Sequence, residues 1–343
     1  MQRIAIVGLG LIGSSIGIGL RRWSAENVRG GQPALDVIGF DSNLDRQSEA
    51  KKIGAVDRTE WELRKVVENA DLIVLAAPVL ALKEIMGDIA PLLKHGAAVT
   101  DVASTKSEVL SWANTLLPRT VSFIGGHPMA GKETSIEGAD GDLFRGATWC
   151  ICPSVQATDD SIRTVLGMVN ALGGEPYFVD PAEHDAYVAG ISHLPFVAST
   201  ALMNALTADP SWRDMKTLTA GGFRDMTRLA SGSPEMHRDV VMTNRAAVQR
   251  WLDAYVNELQ DFQAKLASSD ETVSEELLAY FTNGRDRRAE WAVQTSREAE
   301  LLGGTGNDGE GDGFSGQMGR MLFGGFMRKP RVQKDQNAKT PAQ

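Results

Sequence analysis

The chain has 343 residues, of which 43% are hydrophobic and 23% are charged, and its formal net charge is −9. This length corresponds to about two domains, and the acidic balance argues against binding nucleic acid or an anionic membrane through a basic face. The longest apolar run, 72–82, is much shorter than the ~20 residues of a membrane-spanning helix, so no membrane insertion is expected. Cys150 and Cys152 are two apart in a predicted strand, so they share a face, no disulfide is expected, and a cytoplasmic location is predicted.

Short apolar runs alternate with amphipathic stretches through the first half of the chain. The early runs are continuous Val, Ile, Leu and Ala, which is typical of strands buried on both faces of a parallel sheet. Strands are predicted at 3–8, 36–41, 71–78, 97–102, 121–126, 148–153 and 176–180, with helices at 12–23, 44–52, 63–69, 81–93 and 105–117. This alternation predicts an α/β fold with a doubly wound sheet over 1–180.

The pattern becomes helical after residue 180. Helices are predicted at 184–206, 215–218, 234–265 and 273–291, with turns at 221–222 and 231–234, which gives an all-helical domain over 181–300. The apolar positions of 197–206 and 251–262 exceed what one small helical layer would bury, so this domain is expected to form a homodimer. The remainder, 301–343, is rich in Gly, Asn, Gln and Lys and is predicted to be a disordered tail.

A glycine-rich turn, G-x-G-x-x-G, follows the first predicted strand and opens the first helix. In this setting the motif predicts a dinucleotide site. Gly8 allows a tight turn, Gly10 allows close approach of a pyrophosphate to the helix N-terminus, and Gly13 allows close helix–strand packing.

Asp41 ends the second predicted strand, where a carboxylate can accept hydrogen bonds from both ribose hydroxyls and so favours NAD. The alternative is a turn or helix-capping role, which Ser42 or Asn43 could serve equally well. The small residues and proline of 76–79 end the third strand and could support a nucleotide, or could simply stop the strand.

Two further segments are candidates for chemistry. Ser104 follows the fourth predicted strand, at the sheet edge where ligands of such folds bind; it could also cap the next helix. His127 lies between Gly125-Gly126 and Pro128 on a loop expected to be rigid, and a near-neutral imidazole suits a general base, although a lone histidine is more often structural.

Together these motifs resemble the prephenate/arogenate dehydrogenase family, the oxidoreductases of tyrosine biosynthesis. The resemblance rests on 8–13, Ser104, His-Pro-Met-Ala-Gly at 127–131, Ser-His-Leu-Pro at 192–195 and 221–228, and extends from residue 1 to about 291. It implies a Rossmann domain, a helical dimerisation domain and an active site in the cleft between them. It also implies NAD as cofactor, a small-molecule substrate and no metal.

The resemblance also implies roles for individual residues. His127 would take the proton of the substrate 4-hydroxyl, and Ser104 would orient that hydroxyl. Substrate binding is implied for Arg228, His193, Glu133, Asp185 and Arg224, with Glu133 and Asp185 gating the pocket. Cofactor contacts are implied for Gly8, Gly10, Leu11, Ile12, Gly13, Asp41, Ala77, Pro78, Val79 and Val102. The alternatives are a surface salt bridge for Arg228 and a hydrogen bond within the helical domain for His193.

The chain departs from the family pattern at two positions. Phe196 stands where some members have His, and His237 where some have Trp, which leaves the choice between prephenate and arogenate open. Two other readings are a β-hydroxyacid dehydrogenase and a non-catalytic NAD-sensing module. The first would use a lysine in the second domain, where the matching helix offers His193, and the second has no need of Ser104, His127 and Arg228 together.

Overall fold

A computed structural model describes residues 2–27, 34–132 and 134–303, with side chains described as far as residue 293. The chain forms two compact units, the first ending at Asp261 and the second beginning at Phe262. Within the first unit, a sheet with flanking helices gives way to helices alone from Pro181. In the second unit, the rings of Phe262, Tyr280 and Phe281 form an aromatic cluster with centroids 5.2–5.9 Å apart.

The first unit is built on one eight-stranded sheet. Its order is β3-β2-β1-β4-β5-β6-β7-β8, and every pairing is parallel except that of β6 with β7. The strands are β1 Gln2–Val7, β2 Leu35–Phe40, β3 Arg58–Thr59, β4 Leu72–Leu75, β5 Ala98–Asp101, β6 Ser122–Pro128, β7 Thr148–Pro153 and β8 Glu175–Phe178. The predicted doubly wound α/β fold is confirmed, and the two-residue β3 is the strand that the prediction lacked.

Successive residues of β1 face opposite layers of helices. Ile4 and Ile6 belong to one core cluster, whereas Ala5 and Val7 belong to the other. Because side chains alternate across a strand, a strand covered on both faces must be apolar at every position. This is the physical reason that the continuous apolar runs identify these strands.

Thirteen α-helices are described in the same ranges. They are α1 Leu11–Asn27, α2 Leu44–Lys52, α3 Leu63–Val67, α4 Ala81–Ile89, α5 Ser107–Leu116, α6 Asp159–Ala171, α7 Pro181–Val188, α8 Leu194–Thr207, α9 Trp212–Met215, α10 Gly221–Thr227, α11 Pro234–Thr243, α12 Arg245–Ala267 and α13 Val273–Gly303. The predicted tail falls on 304–343, outside the described residues, while α13 continues beyond its predicted end at residue 291.

Two helical predictions were wrong in detail. The turn predicted at Gly221-Gly222 is instead the start of α10, because the extended Ala220 begins the helix and its carbonyl accepts a hydrogen bond from Arg224 N–H. The single helix predicted over 234–265 is broken at Asn244, whose backbone (φ −135°, ψ 35°) leaves the helical region. The glycine pair gave no warning because glycine is also tolerated at a helix start. The break at Asn244 gave none because one polar residue leaves the apolar periodicity of the two helices almost unchanged.

Helices α7 and α8 join through a π-helical turn, Ala189–His193, into one helix of 27 residues, Pro181–Thr207. Its mean hydropathy of 1.3 makes it long and apolar enough to cross a membrane by length and composition alone. Only 28% of its apolar window is buried in the single chain. The helix predicted at 184–206 is thus confirmed, three residues longer at its start and one at its end. Its polar residues interrupt the apolar run, so uninterrupted apolar runs alone do not reveal a helix of this length and hydropathy.

Candidate active site

The glycine-rich turn lies between β1 and α1. Gly8 has a left-handed φ of +101°, and a Cβ there would lie 2.5 Å from the carbonyl oxygen of Ala76, so only glycine fits. At Gly13 a Cβ would lie 2.0 Å from the carbonyl oxygen of Gly8. A Cβ at Gly10, by contrast, would have no described atom within 4 Å, which leaves the open approach that a pyrophosphate needs at the start of α1, where Leu11 and Ile12 form the first turn.

Asp41 joins the glycine-rich turn to the end of β2. Its carboxylate accepts a hydrogen bond from Leu9 N–H at 2.8 Å and another from Asn43 N–H at 2.9 Å. The cap of α2 is Asn43, whose side chain accepts from the backbone of Asp45 and Arg46, so the capping alternative for Asp41 is wrong. The turn alternative is confirmed, because the bond from Asn43 N–H, two residues further on, is an Asx-turn contact. Each carboxylate oxygen can accept a further hydrogen bond, so Asp41 retains the capacity to bind ribose hydroxyls.

The residues predicted to support the nucleotide follow β4 and β5 at the same edge of the sheet. Ala77 is half-buried, Pro78 is exposed and Val79 is buried, while Val102 N–H donates to the carbonyl of Leu75 at 3.2 Å. Parallel strands end at one edge, so these residues and the glycine-rich turn face the same side of the sheet. The groups present therefore fit a dinucleotide.

The segment carrying Ser104 leads from β5 into α5. Ser104 is half-buried, and α5 begins three residues later without a side-chain cap from its own segment, so the capping alternative for Ser104 is wrong. Instead, the carboxylate of Asp185 accepts from Lys106 N–H at 2.7 Å and from Ser107 N–H at 2.9 Å. Asp185 of α7, distant in sequence, thus caps the start of α5.

A fully buried ion pair is hydrogen-bonded to the residues that precede Ser104 and His127. Lys106 Nζ contacts the Asp101 carboxylate and donates to the carbonyl of Gly126 at 2.7 Å. The same carboxylate accepts from Gly126 N–H at 3.1 Å and from Ala103 N–H at 2.9 Å. The pair therefore holds together the residue before Ser104 and the residue before His127. Sequence reasoning did not select it, because an Asp and a Lys five positions apart are usually a solvated surface pair.

His127, the sixth residue of β6, is buried and forms a hydrogen-bonded chain with α7. Its Nδ1 lies 2.9 Å from Nε2 of His184, and Nδ1 of His184 lies 2.8 Å from Oδ1 of Asp185. A carboxylate can only accept, so His184 carries its proton on Nδ1 and accepts from Nδ1–H of His127. Nε2 of His127 is then the nitrogen with a lone pair, as a proton acceptor requires.

The surroundings keep this acceptor neutral. Burial, aided by repulsion from His184, Lys106 and His193, holds the pKa of His127 well below its usual 6.5. Burial alone would raise the pKa of Asp185, but hydrogen bonds from His184 and the start of α5 outweigh it and lower the pKa. A neutral imidazole therefore lies two hydrogen bonds away from a negative charge.

His193 ends the π-helical turn and is 1% exposed. Its Nδ1 lies 3.3 Å from Nδ2 of Asn244, and Nδ2 also donates to the carbonyl of Asp185 at 2.7 Å. Nε2 of His193 has no hydrogen-bond partner among the residues that the structure describes. Burial lowers the pKa of His193 to about 4.

Of the remaining predicted substrate residues, the two arginines lie at the surface. Arg224 is on α10 and Arg228 begins the 3₁₀ turn that follows; both are exposed. That turn packs on α8, where Ala230 N–H donates to Oγ of Ser199 at 3.0 Å. Glu133 lies outside the described residues. Asp185, predicted to gate the pocket, is buried and hydrogen-bonds to α5 and His184.

The two positions that depart from the family pattern contact one another. Phe196 and His237 stack with centroids 4.1 Å apart and an interplanar angle of 5°, and Phe196 lies 5.9 Å from the ring of His193. The stack is thus adjacent to one of the predicted substrate residues.

Comparison with known proteins gives consistent matches along the chain. Residues 24–177 match the family model "Prephenate dehydrogenase, nucleotide-binding domain", and 180–283 match "Prephenate dehydrogenase, dimerization domain". The prephenate dehydrogenase of Lactococcus lactis is 33% identical over 84% of this chain and 77% of its own length.

Solved structures give the same result. A. aeolicus prephenate dehydrogenase, crystallised with hydroxyphenyl propionate and NAD+, is 27% identical, with a TM-score of 0.75 over 84% of this chain and 98% of its own. Synechocystis arogenate dehydrogenase is 30% identical, with a TM-score of 0.67 over 84% of this chain and 100% of its own.

A doubly wound nucleotide-binding sheet, with a buried, neutral imidazole on β6 hydrogen-bonded to α7, defines an NAD-dependent dehydrogenase. The chain belongs to the prephenate dehydrogenase family, since both family models match it in order over most of its length. The resemblance stated from the motifs is confirmed, and the two alternative readings, a β-hydroxyacid dehydrogenase and a non-catalytic NAD-sensing module, are set aside.

Proposed function

We propose that this chain catalyses the NAD-dependent oxidative decarboxylation of prephenate to 4-hydroxyphenylpyruvate, or of arogenate to tyrosine, in tyrosine biosynthesis. The observation that carries the proposal is the hydrogen-bonded chain His127–His184–Asp185, which leaves Nε2 of His127 as a neutral proton acceptor next to the nucleotide edge of the sheet. Family membership identifies the substrate class.

The reaction requires removal of a hydride from C4 and of a proton from the hydroxyl that C4 carries. NAD, when bound, accepts the hydride from C4. Nε2 of His127 takes the proton of the 4-hydroxyl as carbonyl character develops, and Ser104 orients that hydroxyl. The ring carboxylate leaves as CO₂; its bonding electrons complete the aromatic ring and move the carbonyl electrons onto the C4 oxygen, which takes the proton back from His127. The imidazolium formed at His127 keeps its hydrogen bond to His184, and the charge of Asp185 stabilises it.

Substrate carboxylates are assigned to the arginines of α10 and the turn after it. Arg228 presents a planar guanidinium that can hold two carboxylate oxygens, and Arg224 supplies a second positive charge on the same segment. His193 and Glu133 complete the proposed substrate contacts. Asp185 serves the site by orienting His184 and capping α5 rather than by direct contact.

Cofactor contacts are assigned to the glycine-rich turn, Asp41 and the strand-end residues. The open approach at Gly10 suits the pyrophosphate, and the carboxylate of Asp41 suits an unphosphorylated ribose.

We further propose that the chain is a cytoplasmic homodimer whose functional division lies near residue 180. The largely exposed apolar window of Pro181–Thr207 supports a protein partner, since it lies within the matched dimerization domain. Both cysteines are free thiols, as predicted, which accords with a reducing compartment.

One assay tests the proposal. The purified full chain is mixed with NAD and either prephenate or arogenate, and NADH is followed by its absorbance while CO₂ release is measured. We expect stoichiometric NADH and CO₂ with at least one substrate, and loss of both in His127→Asn. No NADH with either substrate, from a folded protein that binds NAD, would contradict the proposal.

A further inference from the structure

We infer that Asn244 is a positioning residue that holds His193 in the tautomer with its proton on Nε2, so that Nε2–H donates a hydrogen bond to an oxygen of the substrate. The inference deepens the proposed function and rests on it for the identity of the substrate. It assigns a role to a residue that the sequence analysis placed inside a continuous helix.

The orientation of the Asn244 amide is set by its stronger contact. The carbonyl of Asp185, 2.7 Å away, can only accept a hydrogen bond, so the group facing it must be the amide NH₂. The same NH₂ has a second hydrogen, and Nδ1 of His193 lies 3.3 Å from it. Because both hydrogens of the NH₂ are donors, Nδ1 must be the unprotonated nitrogen, and a neutral His193 then carries its proton on Nε2.

That Nε2–H is a buried donor without an acceptor. His193 is 1% exposed, and its Nε2 has no partner among the described residues. Buried donors are rarely left unpaired, because a donor that loses its hydrogen bond to water and gains no other partner destabilises the folded protein. The hydrogen bonds place this donor near the proposed base, since the Asn244 amide that contacts His193 also binds Asp185, whose carboxylate contacts His184, the partner of His127. An oxygen of the bound substrate supplies the missing acceptor.

The backbone supports the same assignment. Asn244 interrupts what would otherwise be one helix from Pro234 to Ala267, and its φ of −135° and ψ of 35° turn the chain between α11 and α12. The 8% exposed side chain bridges α7 and the π-helical turn. A break in a helix to place one amide between two elements is characteristic of a residue that orients a site.

The tautomer can be measured directly. The chain has five histidines, so ¹⁵N-histidine labelling gives a small set of imidazole signals, and His193 is assigned by the signal lost in His193→Gln. We expect Nδ1 unprotonated and Nε2 protonated in the wild-type protein at neutral pH, and a shift of the Nε2–H signal on adding 4-hydroxyphenylpyruvate. In Asn244→Asp, a carboxylate faces Nδ1, so Nδ1 becomes protonated. Asn170→Asp, the same change at an exposed site on α6, leaves the His193 signals unchanged.

Kinetics separate positioning from mere packing. Glutamine places an amide NH₂ near the position of Nε2, whereas asparagine reaches only the position of Nδ1. We therefore expect His193→Asn to raise the substrate KM roughly tenfold or more, and His193→Gln to keep it within about threefold of wild type, in line with loss of one hydrogen bond. Asn244→Asp should also raise the substrate KM, with the KM for NAD unchanged.

If His193 of the wild-type protein is protonated on Nδ1 and unprotonated on Nε2, the inference is overturned, even if the enzyme turns over prephenate. Equal KM values for His193→Asn and His193→Gln would overturn it as well. The predicted tautomer without turnover of prephenate or arogenate would instead overturn the proposed function, and with it the substrate contact.

Discussion

His184 Nε2 lies 2.9 Å from Nδ1 of His127, and the other nitrogen of His184 contacts the carboxylate of Asp185. The two histidines belong to different elements, β6 and α7, and their rings meet edge to face at 73°. Because Asp185 also caps α5, the segment carrying Ser104 and the strand carrying His127 are held by the same short stretch of α7.

The contact between the two histidines predicts a matched pair of variants. His184→Leu removes the acceptor of His127 Nδ1–H and leaves a buried donor unpaired, so kcat should fall roughly 10- to 100-fold. His184→Gln can still accept through its amide oxygen and should recover most of that loss. Steady-state kinetics with both variants test this, and equal kcat values for the two would count against the role of His184.

His127→Asn keeps a hydrogen bond toward His184 but cannot accept the substrate proton. We expect kcat to fall by roughly 10²–10⁴, the usual contribution of a general base, with little change in NAD affinity. His95→Asn is the control, since His95 is exposed. Retention of more than a tenth of the wild-type kcat would refute the assignment.

The lowered pKa of His127 predicts the shape of the pH profile. The base must be neutral to work, and its pKa in the folded enzyme lies well below 6.5 because of burial and nearby positive charge. Activity limited by this group is therefore full at neutral pH and is lost only as the pH falls below 6.5. Measured kcat/KM against pH should show an acidic limb with its midpoint below 6.5, and a midpoint at or above that value would contradict the prediction.

Asp41 predicts the choice of cofactor. Its carboxylate would repel a 2′-phosphate, so kcat/KM should be higher with NAD than with NADP. Asp41→Asn removes the charge and should reduce the ratio of kcat/KM for NAD to kcat/KM for NADP. Asp45→Asn, at an exposed site on α2, should leave that ratio unchanged. The two cofactors are compared at saturating substrate, and a preference of the wild-type protein for NADP would show the assignment to be wrong.

The role proposed for Arg228 predicts that its removal weakens binding of the substrate and not of the cofactor. Arg228→Ala should raise the KM for prephenate roughly tenfold or more and leave the KM for NAD unchanged, since a charged hydrogen-bond donor to a carboxylate is lost. Arg163→Ala on α6, which removes an exposed arginine paired with Asp160, is the control. An unchanged prephenate KM in folded Arg228→Ala would exclude a carboxylate contact.

Much of the fold could be predicted because its signals are local. Burial on both faces forces continuous apolar strands, and the turn after β1 admits only glycine at Gly8. Gly221-Gly222 misled the prediction because a glycine pair is compatible with both a turn and a helix start, and the surrounding packing decides between them.

The sequence by itself determined the doubly wound sheet and the family, and it selected His127 as the candidate base, because strand periodicity and motif spacing are set by consecutive residues. Only the tertiary structure decided which nitrogen of His127 contacts His184, that Lys106 and Asp101 form a fully buried pair, and that the side chain of Asn244, at the break between two helices, contacts His193. These contacts join residues that are mostly far apart in the chain, and hydrogen bonds between such residues depend on where the packed elements bring their side chains. A local sequence pattern cannot predict which of these distant side chains come within hydrogen-bonding distance.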